Sequence, residues 1–293
     1  MFIIYVKMDL RELITNSSFD EIKKLISNTN EEEINKILNI ACGMGNMGLV
    51  EYLFEHKDHL INRNHQDLPT GYALGEGKLD VLEYLVSKGF DLKVYDVISV
   101  LRVLEKGHLE VAKYMLFALD ISVKDLCSRT NALNRIIEVG HTDIVKYLLD
   151  NGADINYDRM DETPHACSTP LAKACVEGDL KIVKLLLSYG ADIRIKNNIV
   201  MSYALKYGHI DIVECLAEAG AKTSFYKKHY DMVSNHSIII NKLFEKHSFD
   251  ALSNIIDDID DECIKKTITK IKLNRQRFFV NLRNINNVSI ITY

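Results

Sequence analysis

Apolar residues recur along this chain in a frame set by a glycine. Gly45, Gly77, Gly107, Gly140, Gly178 and Gly208 follow one another at steps of 32, 30, 33, 38 and 30 residues. Five residues after each stand Val50, Leu82, Ala112, Val145, Val183 and Val213, and eight after stand Leu53, Leu85, Met115, Leu148, Leu186 and Leu216. These offsets place an apolar stripe on one face of a helix. Upstream, the fourth residue before each glycine is Ala41, Ala73, Val103, Ile136, Ala174 or Ala204, and the third is Cys42, Leu74, Leu104, Ile137, Cys175 or Leu205. Seven before stand Leu38, Thr70, Val100, Leu133, Leu171 and Met201. This second stripe predicts a shorter helix, with small residues where two helices approach. Each unit therefore reads as short helix, glycine turn, longer helix, with an αL backbone at the glycine. A second glycine, Gly89, Gly152, Gly190 or Gly220, follows at the place of a helix C-terminal cap.

One such hairpin cannot bury its own apolar face, but stacked copies bury each other's. The chain thus predicts an all-α solenoid. Two divergent units extend the register, one with Ser17 at the glycine position and Ile22, Leu25 and Ile26 behind it. The other has His247 there, flanked by Ile240, Leu243, Phe244, Leu252, Ile255 and Ile256. The expected organisation is an N-terminal extension over 1–8, an array of about six clear and two degenerate units over 9–263, and a basic capping segment or tail over 264–293.

These residues resemble ankyrin repeats. Thr169-Pro170-Leu171 matches that family's T-P-L at the start of the short helix, where Thr caps and Pro suits the first turn. Gly152-Ala153-Asp154-Ile155-Asn156 and Gly190-Ala191-Asp192-Ile193 match its G-A-D loop, and Gly-His before the longer helix recurs at His108, His141 and His209. The chain departs from the pattern in keeping T-P-L once, and in its 30-residue intervals, which predict clipped turn fingers. In style it is similar to the ankyrin-repeat proteins of giant DNA viruses. The resemblance implies a non-catalytic protein-binding module, not an enzyme, with contacts on the turn fingers and the exposed side of the short helices. By analogy with viral ankyrin proteins, a substrate adaptor for a host ubiquitin ligase is the second reading.

Charge narrows the partner. The net charge is −5, yet residues 263–293 carry seven Lys/Arg and no Asp/Glu, leaving −12 on the first 262. An acidic body argues against wrapping nucleic acid, so any such contact falls to the segment 264–293. No apolar run is long enough to span a membrane. The six cysteines are widely spaced with no C-x-x-C pair, which predicts reduced thiols and an intracellular, cytoplasmic protein. A monomer with no cofactor, no metal and no small-molecule substrate is expected.

Sharper motifs compete poorly with the repeat. Gly43, Gly45 and Gly48 spell the G-x-G-x-x-G of a dinucleotide site, but that fingerprint needs a preceding strand, and Leu38, Ala41 and Cys42 already fall in the short-helix columns. His165, Cys167 and Cys175 have metal-ligand types without a zinc spacing. The three repeat histidines hold one register position, which favours a shared structural hydrogen bond over catalysis. Partner contacts are expected where the core does not dictate the side chain, at His65, Asp67, Glu76, Tyr95, Glu105, Lys106, Glu138, Glu177, Lys196, Lys206 and Tyr207. The long interval before Gly178 predicts a distinctive finger around Asp158–His165.

Overall fold

The computed structural model describes residues 10–27, 29–63, 69–157, 169–194 and 199–221; within these, the side chains of Ile199, Ser202, Leu205, Lys206 and Ile210 are not described. Every regular element among them is helical. The chain forms two compact units, residues 1–132 and 133–293.

In the first unit the helices run α1 (Leu10–Asn16), α2 (Phe19–Ser27), α3 (Glu31–Met44), α4 (Met47–Lys57), α5 (Pro69–Gly75), α6 (Leu79–Ser87), α7 (Val97–Glu105), α8 (Leu109–Ala118) and α9 (Val123–Thr130). The first helices of consecutive hairpins, α1, α3 and α5, pack in sequence on one side, and the second helices, α4, α6 and α8, on the other; α3 departs from the expected order of lengths, being longer than α4. In the second unit α10 (Ala132–Val139), α11 (Thr142–Asp150), α12 (Pro170–Glu177), α13 (Leu180–Ser188), α14 (Ile199–Tyr207) and α15 (Ile210–Glu218) repeat the scheme. There α12 packs on α14, and α11, α13 and α15 stack in turn.

The register holds. All twelve residues five and eight places after the six anchor glycines are 0% exposed. The columns four and seven places before them are buried throughout, and so is the column three before wherever its side chain is described. Burying each Leu or Val contributes roughly 1.5–3 kcal/mol, so these ladders dominate the cohesion between consecutive hairpins. The six anchors adopt φ between 69° and 89°, a region that disfavours any residue with a Cβ. The amide following each of Gly45, Gly77, Gly107, Gly140 and Gly208 reaches back five residues to a helix carbonyl, closing the short helix with a Schellman motif. Around Ser17 two helices, α1 and α2, bury Leu13, Ile14, Ile22 and Ile26, while Leu25 is half-buried and Ser17 does not adopt the left-handed φ of the glycine anchors. The unit around His247 and the segment 264–293 lie outside the described residues.

Helix starts are specified locally. Asn30 and Glu33 form a reciprocal capping box on α3. Thr169 accepts from the Ala172 amide at 3.3 Å with Pro170 in the first turn of α12, which is the physical content of the T-P-L match. Asp179 accepts from both Lys181 and Ile182 at the start of α13.

Two features depart from the expected repeat. Helix α9 occupies the stretch where a turn finger was expected, started by Ser122, whose hydroxyl accepts from the Asp125 amide at 3.0 Å, and ended by Asn131 at φ 56°. It buries Val123, Leu126 and Cys127 and packs on α7. Helix α8 is one residue longer than α6 or α11, which moves the left-handed cap from a glycine to Asp120, at φ 54°.

Candidate functional site

A short helix whose positions −7, −4 and −3 face the core turns positions −9, −5 and −1 to the opposite side. In the first unit this outward strip carries Ile40 and Met44 on α3, Tyr72 and Glu76 at α5, and Ile98, Arg102 and Lys106 at α7. In the second it carries Val139 on α10, Lys173 and Glu177 on α12, and Tyr207 on α14. Tyr72 is 44% exposed, Ile98 41%, Val139 48% and Tyr207 48%, although the inward side of the same helices is sealed.

The strip is laid on a close backbone surface. Tyr72 and Glu76 lie against Gly43 of the preceding short helix, where a Cβ would meet Tyr72 Cβ at 3.6 Å and Glu76 Cγ at 3.7 Å. The Lys106 ammonium donates to the Gly75 carbonyl at 2.8 Å, and Nε2 of His108 reaches the same oxygen at 3.3 Å. His209 repeats the contact on Val176, at 3.1 Å. A carbonyl only accepts, so both rings carry their proton on Nε2. His108 and His209 therefore fasten their repeats to the C-terminal end of the short helix before them, the structural bond that the register position implied. Lys78 holds that place in the second repeat, with its Cδ 3.0 Å from where a Cβ on Gly45 would stand.

Several expected contact residues also carry internal bonds. Glu138 and Glu177 flank one ammonium, that of Lys173, at 3.3 Å and 2.9 Å. Burial disfavours the charge on Lys173, but hydrogen bonds to Glu177 and Glu138 outweigh it and hold its pKa above the ordinary value. Tyr95 is half-buried; its hydroxyl lies 2.9 Å from that of buried Thr70, and burial raises its phenol pKa while the Thr70 bond lowers it. Tyr207 stacks at 6.4 Å on His209. Glu76 and Lys106 are exposed and Glu105 is half-buried. His65, Asp67 and Lys196, the finger around Asp158–His165, and the side chain of Lys206 lie outside the described residues. The expected set omitted Tyr72, Ile98, Arg102, Val139 and Lys173, which share the strip; their signal was the i, i+4 spacing opposite the core columns.

Turn geometry follows from the G-A-D match. Asp154 and Asp192 accept from the amide two residues on, at 2.9 Å and 2.8 Å, and Asp91 does the same at 2.9 Å. Asn156 then accepts from the Asp192 amide at 2.9 Å, tying one finger base to the next.

No nucleotide fingerprint forms at Gly43, Gly45 and Gly48. Gly43 sits within α3, Gly45 caps it and Gly48 lies in α4, so a helix stands where the fingerprint needs a strand. Cys42, Cys127 and Cys175 are buried thiols outside any disulfide, and Cys215 is a half-buried one. His165 and Cys167 lie outside the described residues, among which no group of His, Cys, Asp and Glu is arranged to hold a metal. No described helix is long and apolar enough to cross a membrane.

Comparison with known proteins agrees with this geometry. Residues 100–197 and 158–227 match the family model for ankyrin repeats (3 copies). The chain is 29% identical over 164 residues to the ankyrin repeat and KH domain-containing protein mask-1 of Caenorhabditis elegans, a stretch covering 55% of this chain and 6% of that protein. It therefore spans a small part of that relative's length. The crystal structure of the human ASB11 ankyrin repeat domain superposes with a TM-score of 0.54 at 16% identity, over 72% of this chain and 97% of that one. By fold this chain is an all-α ankyrin-repeat solenoid, and over residues 100–227 its sequence matches the ankyrin-repeat family.

Proposed function

We propose that the chain is a non-catalytic protein-binding scaffold whose partner lies along the outward strip of the short helices. Ankyrin repeats generally mediate protein–protein interaction. The observation that carries the reading here is the recurrence of large apolar side chains in water on the outward side of the short helices: Tyr72 and Ile98 in the first unit, Val139 and Tyr207 in the second. Aromatic and aliphatic anchors among mixed charges are the composition of interface centres.

His65, Asp67, Lys196 and Lys206 stay proposed contacts on the sequence pattern alone. A photo-crosslinking residue placed at Tyr72 or Ile98, both in the first unit of the full chain, in extract of the native cell, tests it. Capture of one and the same protein from both positions, and not from Glu83 on the long-helix side, is the expected result. Capture from Glu83 alone would move the partner to the opposite face and overturn the proposal.

A further inference from the structure

We propose that the Asn151–Gly152 peptide is a latent self-modification site, which deamidates by ring closure only when the C-terminal end of α11 opens. Both residues are exposed, and glycine after asparagine leaves the following amide nitrogen sterically open to attack. In the reaction, the Gly152 nitrogen gives up its proton to solvent base and bonds to Asn151 Cγ. Ammonia leaves, and water opens the resulting succinimide at either carbonyl, yielding aspartate or isoaspartate. No oxidant or reductant takes part.

The folded cap blocks each step of that approach. Asn151 Nδ2 donates to the Tyr147 carbonyl at 2.8 Å, turning the amide back along α11. The Gly152 amide donates to the Leu149 carbonyl at 3.2 Å, which keeps its proton engaged. Asn151 sits at φ −105° and ψ 22°. Ring closure needs Asn151 Cβ and the Gly152 nitrogen nearly eclipsed about the Cα–C bond, which brings Cγ to the nitrogen only at a ψ far from that value. Neighbouring bonds hold the turn: Ala153 donates to the Leu148 carbonyl at 3.0 Å, and Asp150 is fixed by Lys146 at 2.6 Å and by the Tyr189 hydroxyl. Reaction is thus gated by local opening of the helix end.

Once it occurs, the product resists reclosure. A carboxylate replaces a donor at a helix C-terminus, beside Asp150, where the helix dipole disfavours negative charge. The isoaspartate form also inserts a methylene into the backbone and displaces the Ala153–Leu148 bond. The base of the following finger, Gly152–Tyr157, would then loosen irreversibly.

The test follows deamidation of the full chain by peptide mass spectrometry at mildly alkaline pH, native and in unfolding urea, with Leu148→Ala as a second native sample. The native chain is expected to react at least about tenfold more slowly than the unfolded one, with Leu148→Ala in between because its α11 opens more often. Should Leu148→Ala fail to fold, it is expected to react at the urea rate. Equal rates in the native and urea samples would overturn the gate, as would rapid native reaction unaffected by Leu148→Ala.

Discussion

The imidazole of His209 covers Gly178 of the preceding repeat so closely that a Cβ there would stand 2.4 Å from its Cε1. His108 and Gly77 repeat the relationship at the same distance to Nδ1. Glycine at the anchor thus serves two ends at once, a left-handed turn and a seat for the next repeat's ring.

The two roles separate by substitution. Gly178→Ala meets both the φ penalty at +82° and the ring, whereas Gly190→Ala at +83° meets the φ penalty with nothing within 4 Å. Gly190→Ala should cost about 1–2 kcal/mol and Gly178→Ala about 1–3 kcal/mol more. In a His209→Ala background that excess should vanish. Urea unfolding of the four variants closes the cycle, and an unchanged excess without the ring would remove the packing role.

Asp120 occupies a left-handed cap held by glycine after α6, α11, α13 and α15. It also places a carboxylate at the C-terminus of α8, against the helix dipole. Asp120→Gly relieves both, and should stabilise the chain by about 0.5–1 kcal/mol. Thermal unfolding reads the sign; a lower midpoint would contradict the cap geometry.

Cys42 sets a pH limit. Burial pushes its thiol from 9.0 up to about 12. The folded protein holds this proton more tightly than the unfolded chain, so the contribution is complete below pH 9 and is lost as pH rises toward about 12. The full span is worth about 4 kcal/mol at most. Stability measured across this alkaline window should fall less steeply in Cys42→Ala, and the native Cys42 thiol should label more slowly than half-buried Cys215. Equal slopes would place Cys42 in contact with water.

The core was legible because its signal is periodic and redundant: six copies of Ala41/Cys42-like and Val50/Leu53-like pairs fix both helix faces. The strip was only half legible. Glu76, Lys106, Glu138, Glu177 and Tyr207 were chosen as polar or aromatic residues outside the columns, and they do lie near the surface, but Lys106 and the two glutamates are also tied to Gly75 and Lys173. Tyr95 reads as an exposed aromatic until Thr70, buried one repeat earlier, is seen to lie within hydrogen-bond reach of its hydroxyl. Ile98 and Tyr72 are hidden in the sequence because an apolar or aromatic residue on an amphipathic helix reads as core until its angle to the buried columns is set out. Helix α9 escaped because the frame was keyed to glycine; the Ser122–Asp125 cap and the spacing of Val123, Leu126 and Cys127 were its visible signal.

The buried ladders between consecutive hairpins hold the fold together, and the urea unfolding free energy of Leu148→Ala probes them most directly. Leu148 is wholly buried in α11, so its truncation should cost about 2–5 kcal/mol. A loss below about 0.5 kcal/mol, the range of an indifferent surface position, would contradict the ladder and with it the scaffold on which the proposed binding strip is mounted.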